Sequence, residues 1–121
     1  MAPINLCQIC QKILKALGHA FAGLKIAIKF EFAFRVELFI AIPLIVSAPF
    51  LARDKLSLAL MLGSIFLMLI TELINTSIEA ALDRVGKEHH DLTKIAKDIA
   101  CAAVFLSIAN LFVTWGILLL F

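Results

Sequence analysis

The chain has 121 residues, 63% of them hydrophobic and only 17% charged, with a net charge of +2. A soluble domain of this size carries about 25% charged residues, so this composition, with a mean hydropathy of +1.05, excludes an ordinary soluble fold and points to a membrane protein. The small, scattered positive charge, with no basic stripe interleaved with aromatics, excludes a nucleic-acid-binding protein.

Residues 8–29, "QICQKILKALGHAFAGLKIAIK", come first in the chain. Ile9, Ile13, Leu14, Leu17, Phe21, Leu24 and Ile28 recur at intervals of three and four, while Lys12, Lys15, Lys25 and Lys29 take other positions. The pattern predicts an amphipathic helix, with bounds 5–29, lying on an anionic membrane face. No small-residue cleavage pattern of a secretory signal occurs. Cys7 and Cys10 form a C-x-x-C, but with no second pair and no neighbouring ligand histidine it is a weak zinc signature.

Three apolar stretches follow, 38–52, 56–70 and 99–121. Only the last reaches the roughly 20 residues that span a bilayer core as a helix. The first two need their polar flanks, which predicts crossings at 31–52, 55–84 and 94–120. Pro43 and Pro49 are expected to kink or shorten the first. Gly86 is the expected stop of the second, and Asp91 the expected N-cap of the third. The lysines of the first helix, together with Arg84, Lys87, Lys94 and Lys97, lie two crossings apart and so on one side. The turn "ARDK" at 52–55 has only Arg53 and Lys55. The positive-inside rule makes the first side cytoplasmic.

At about 100° per residue, Glu72, Asn75, Glu79 and Asp83 fall on one helix face. A carboxylate in lipid is costly, so a face that repeats it at the inner interface signals chemistry. Glu72, partly desolvated, suits a proton acceptor. Glu79 and Glu31 offer oxygen donors suited to magnesium, which takes few carboxylates and keeps waters and phosphate in its other positions. Lys97, beside Asp98, supplies a cation for phosphate oxygens. Acid, metal ligands and lysine together are the parts of phosphoryl transfer. Taken one at a time, Glu31–Arg35 reads as an i,i+4 ion pair, Asn75 as a helix–helix hydrogen bond and Lys97 as a snorkelling anchor.

"ELINTSIEAALDRVGKEHHDLTKIAKDIACAAV", 72–104, resembles the signature of the small bacterial membrane diacylglycerol kinases, E-x-L-N-[ST]-[AS]-I-E-x-x-x-D followed by A-K-D. "GLKIAIKFEFAFRVE", 23–37, resembles the family's G-L-x-x-A…E-x-A-F-R-x-E segment. The resemblance covers essentially the whole chain as one membrane kinase domain, 1–121. It implies an all-α homotrimer with a surface helix and three transmembrane helices per chain. It implies phosphorylation of diacylglycerol to phosphatidic acid, with ATP and Mg2+, on the cytoplasmic side of the bacterial inner membrane. By motif position it implies Glu72 as catalytic base with Asn75 supporting it, and Glu31 and Glu79 as magnesium ligands. Lys12, His19, Glu31, Glu79, Glu88, His89, His90, Lys97 and Asp98 would meet ATP. Lys12, Phe34, Arg35, Glu37, Glu72, Cys101 and Trp115 would meet the lipid. Four features depart from the family: Lys12 stands where arginine is usual, His19 where tyrosine is and Cys101 where a small hydroxyl is, and the tryptophan usual three residues before the glycine–leucine pair is absent, with Phe21 nearest.

Two rivals remain. Closely similar enzymes phosphorylate undecaprenol instead, although "EFAFRVE" looks nearer the diacylglycerol group. A transporter or channel would need polar residues near mid-membrane, where the third helix offers only Ser107, Asn110 and Thr114.

Overall fold

The structure, a computed structural model describing residues 2–121, is all-helical. Its four helices are α1 (Leu6–Phe30), α2 (Phe32–Leu51), α3 (Lys55–Val85) and α4 (Asp91–Leu120). The chain divides into two compact units, one ending at Phe32 and the other running Ala33–Phe121.

The first unit is essentially α1. Asn5 caps it by accepting from the Gln8 N–H, and Gln8 returns a bond to the Asn5 N–H, so the first turn is closed from both sides. Glu31, extended, ends the helix and satisfies the Ala27 carbonyl with its N–H. Ile9, Ile13, Leu14, Leu17 and Phe21 are all exposed. α1 therefore carries an apolar stripe that the chain itself leaves uncovered.

The second unit holds three helices long and apolar enough to cross a membrane, α2, α3 and α4. α3 is the most buried of them and packs along α4. At 31 residues it is about 46 Å long, against about 30 Å of hydrocarbon core, so a crossing by α3 leaves turns over at its ends. Its buried positions, Ser57, Met61, Ser64, Ile65, Met68, Leu69 and Glu72, form one stripe at three- and four-residue spacing. α2 turns Phe34, Glu37, Ala41 and Ala48 inward, and α4 turns in Ala100, Ser107, Leu111 and Trp115. The alanines permit close backbone approach, the usual basis of helix association where lipid supplies no hydrophobic drive. The outer faces expose Phe39, Phe50, Phe105 and Phe112, as lipid contact requires.

Hydroxyls within these helices are satisfied locally. Ser47 donates to the Leu44 carbonyl, Ser64 to Met61 at 2.8 Å, Thr71 to Leu67 and Ser107 to Val104. The Trp115 indole N–H donates to the Met61 carbonyl at 3.4 Å, tying α4 to α3. Arg53 donates to the Phe121 carbonyl at 3.0 Å, joining the α2–α3 turn to the end of α4.

Pro43 and Pro49 both lie inside α2, which continues to Leu51, so neither shortens it. Proline removes one ladder bond, and in an otherwise apolar helix the remaining bonds have no water to compete for them. The N-cap of α4 is His90 and not Asp91, which is its first helical residue. His90 Nδ1 accepts from the Leu92 N–H at 3.1 Å, the work expected of an Asp or Ser cap. Gly86 does end α3, with its N–H on the Leu82 carbonyl.

Two outcomes follow from this packing. Ile65 is fully buried. Ile65→Ala should destabilise by about 2 kcal/mol, the low end for such truncations, because lipid replaces water outside and chiefly the cavity cost remains. Unfolding in a detergent–denaturant titration reads this, and no shift in midpoint would mean that the α3 seam is not packed. Asp54 caps α3, accepting from the Ser57 N–H at 2.7 Å, and that hydrogen bond holds its carboxyl below the usual carboxylate range. A depressed folded-state value means that the cap's contribution is complete above the ordinary carboxylate pKa and is lost as pH falls through the lower value. Asp54→Asn, which keeps an acceptor, should flatten that acid-side loss in a stability-against-pH series.

Candidate active site

The sequence singles out the acidic face of α3, and the structure grades it by depth. Glu72 is 4% exposed, Asn75 is half-buried, and Glu79 and Asp83 are exposed. The face runs from the packed interior outward over about three turns. Glu37 of α2, 7% exposed, meets Glu72: the two carboxylates lie within electrostatic reach of one another. Two buried acids from different helices thus feel each other's charge.

Two oxygens in this neighbourhood lack donors. Glu37 Oε2 and Asn75 Oδ1 are buried oxygens that accept no hydrogen bond. Buried polar atoms are nearly always paired, and leaving one unmade costs about 1–3 kcal/mol. Ser64 and Ser107, also buried, do find partners, so the deficit stands out beside Glu72. An incoming hydroxyl or a metal-bound water would remedy it.

Further out, α3 and α4 are bridged by Lys97 Nζ and Asp83 Oδ1 at 2.9 Å. Lys94 pairs with Asp98 one turn away, and His89 Nε2 lies 3.6 Å from Asp91. Around this bridge the α3–α4 loop forms an open pocket of about 550 Å³. Glu88, His89, His90, Lys97 and Asp98 all line it, with Asp83, Lys87, Thr93 and Lys94. The expected nucleotide residues of this loop are therefore gathered in one place. Bridges this exposed are worth little, so Lys97 can exchange Asp83 for a stronger anion.

Of the remaining expected residues in the second unit, Phe34 is buried, Arg35 exposed and Cys101 exposed. Trp115 is buried against α3, with its indole N–H on the Met61 carbonyl. In the first unit Lys12 lines a recess of about 470 Å³ with Gln8, Gln11 and Lys15. His19 is exposed, and Glu31 is half-buried as the cap of α1.

Among the described residues, no group of three His, Cys, Asp or Glu side chains stands together. That donor set does not suit zinc, whose catalytic sites take three protein ligands. A single exposed carboxylate such as Glu79 is the kind of donor magnesium takes, with waters in its other positions. Asn75 Oδ1, one turn before Glu79, is a buried acceptor without a donor.

The sequence reading missed the electrostatic proximity of Glu37 and Glu72 and the Asp83–Lys97 bridge. The first had a signal, since both glutamates flank apolar runs at the same predicted interface. The second depends on the path of the α3–α4 loop, which no spacing rule fixes.

Residues 18–119 match the sequence profile of the prokaryotic diacylglycerol kinases. The chain belongs to this family. It is 40% identical over 108 residues to the diacylglycerol kinase of Escherichia coli K12, covering 89% of this chain and 88% of that one. With the diacylglycerol kinase of Haemophilus influenzae the identity is 38% over 109 residues, 90% and 92% of the two chains. With that of Helicobacter pylori strain 26695 it is 42% over 106 residues, 88% and 83%. The chain is accordingly a kinase, a phosphotransferase, whose family members are found in bacteria. Both motif segments read from the sequence, 23–37 and 72–104, lie inside the matched region.

Proposed function

We propose that this kinase transfers the γ-phosphoryl group of ATP to the free hydroxyl of diacylglycerol, giving phosphatidic acid at the cytoplasmic face of the inner membrane. One observation carries the reading: near buried Glu72, Glu37 Oε2 and Asn75 Oδ1 are buried acceptors that lack donors, while the buried hydroxyls of Ser64 and Ser107 have partners. A site with spare acceptors suits a substrate that arrives as a hydroxyl donor. The family of the chain supports the choice of a lipid alcohol.

Glu72 accepts the proton of the lipid hydroxyl as its oxygen attacks phosphorus. Asn75, one turn further along α3, steadies the reacting groups by hydrogen bonding. Lys97 leaves Asp83 for the phosphate oxygens and offsets the charge that builds there. Glu88, His89, His90 and Asp98 receive the nucleotide in the loop pocket, with Lys12 and His19 of α1 as further nucleotide contacts. Glu31 and Glu79 are the residues that would hold magnesium; when bound, the ion neutralises charge shared between adjacent phosphates. Phe34, Arg35, Glu37, Cys101 and Trp115 are assigned to the lipid. Catalysis is mostly placement, since the lipid comes from the bilayer and the nucleotide from water.

In this reading α1 lies on the membrane, its uncovered apolar stripe in the interface and its lysines toward headgroups. The working unit is a homotrimer, in which neighbouring copies cover polar faces that three helices cannot enclose.

Transfer of radiolabelled phosphate to a lipid panel, resolved by thin-layer chromatography, tests the reading. Diacylglycerol should be labelled well ahead of undecaprenol. A strong preference for undecaprenol would replace the substrate, and transfer to neither would remove lipid phosphorylation altogether.

A further inference from the structure

Cys7 and Cys10 take no part in the chemistry above. Both thiols are free and exposed. They lie at the start of α1, where the reciprocal Asn5–Gln8 cap holds the backbone as regular helix from Leu6. Three residues apart, they share one side of the helix, with Cβ atoms about 5–6 Å apart.

That spacing decides what the pair can do. A disulfide needs Cβ atoms about 3.5–4.5 Å apart, closer than this spacing in a regular helix, and both thiols are free. Zinc takes four donors, and among the described residues no third His, Cys, Asp or Glu joins the two thiols. Calcium and magnesium take oxygen. What remains is a soft ion that is satisfied by two thiolates. Two metal–sulfur bonds of about 2.3 Å on opposite sides of an ion place the sulfurs about 4.6 Å apart. Side chains on this spacing reach that separation with the helix intact.

The surroundings agree. Binding turns a +1 ion and two neutral thiols into an adduct of charge −1, with two protons released to water. Two metal–sulfur bonds form, two S–H bonds break, and no oxidation state changes. The negative adduct sits at the positive end of the α1 macrodipole. α1 contains no Asp or Glu, and Lys12 and Lys15 follow closely. At about 100° per residue the thiols also fall on the side of Leu14, Leu17 and Phe21, a weakly polar setting suited to a soft, poorly hydrated ion.

We infer that the Cys7–Cys10 pair is a two-coordinate site for a soft monovalent cation, of which the cuprous ion is the natural probe. The inference is independent of the kinase chemistry, and its test does not use activity as its readout.

The full-length protein in detergent, kept anaerobic and reduced, is titrated with Cu(I) against a chromogenic chelator of known affinity. One ion per chain should be withdrawn from the chelator, with a near-ultraviolet sulfur-to-copper band. Cys7→Ser and Cys10→Ser should each weaken binding by at least about 10²-fold, because the second bond of a chelate forms at high effective concentration. Cys101→Ser should bind as the wild type does. Far-ultraviolet dichroism checks that α1 is retained in each variant. Failure of the wild type to compete with the chelator overturns the site. So does undiminished binding by either N-terminal serine variant, or loss of binding in Cys101→Ser.

Discussion

Replacing Glu72 by glutamine is expected to lower turnover by at least about 10²-fold, the usual scale for loss of a general base. Glutamine keeps the size and one acceptor oxygen, so packing along α3 is preserved. It also removes one of two carboxylates held together in a buried place, so the variant should be no less stable than the parent. This combination of lost turnover and kept stability separates a chemical role from a structural one. Detergent-solubilised protein of unchanged helix content and unfolding midpoint, assayed at saturating lipid and nucleotide, gives the measurement. Near-normal turnover in that preparation would remove Glu72 from the base role and leave Glu37 as the other buried acid to be tried.

Glu79→Gln should act differently. If Glu79 holds magnesium, the variant should need at least about 10-fold more magnesium for half-maximal rate, and its KM for ATP should rise in step, because a bound ion would offset the nucleotide's phosphate charge. Lipid KM should be unchanged. Glu79 is exposed on α3, two turns beyond Glu72, with Asn75 between them. Its loss therefore leaves no buried group unpaired, and stability should not move. Parallel titrations of magnesium, ATP and lipid give the three numbers. Unchanged midpoints for both magnesium and ATP would return Glu79 to the solvated end of the helix, with no ligand role.

Much of this was legible in the sequence because of the solvent these helices meet. Where lipid surrounds a chain, backbone groups must pair within a helix. Long apolar runs then translate directly into α2, α3 and α4. The acidic face of α3 was equally legible, since 3.6 residues per turn fixes which side chains align. Boundary details were less secure. His90 caps α4 through its ring nitrogen in place of Asp91, and α2 runs through both prolines.

Tertiary structure decided the rest, and the deciding quantity was depth. Periodicity places Glu72, Asn75, Glu79 and Asp83 on one side of a helix but cannot say how far each lies beneath its neighbours. Packing of α3 in the second unit buries Glu72 and leaves Glu79 and Asp83 in the open. The meeting of Glu37 with Glu72, and of Lys97 with Asp83, spans 35 and 14 residues of sequence respectively. Contacts between helices depend on how two curved surfaces fit and on the course of the connecting loop. A one-residue rotation of either helix would turn the side chains by about 100° and undo them. The sequence by itself named the acids of α3 and their shared face; only the fold brought Glu37 of α2 within electrostatic reach of Glu72 and left a Glu37 oxygen without a donor.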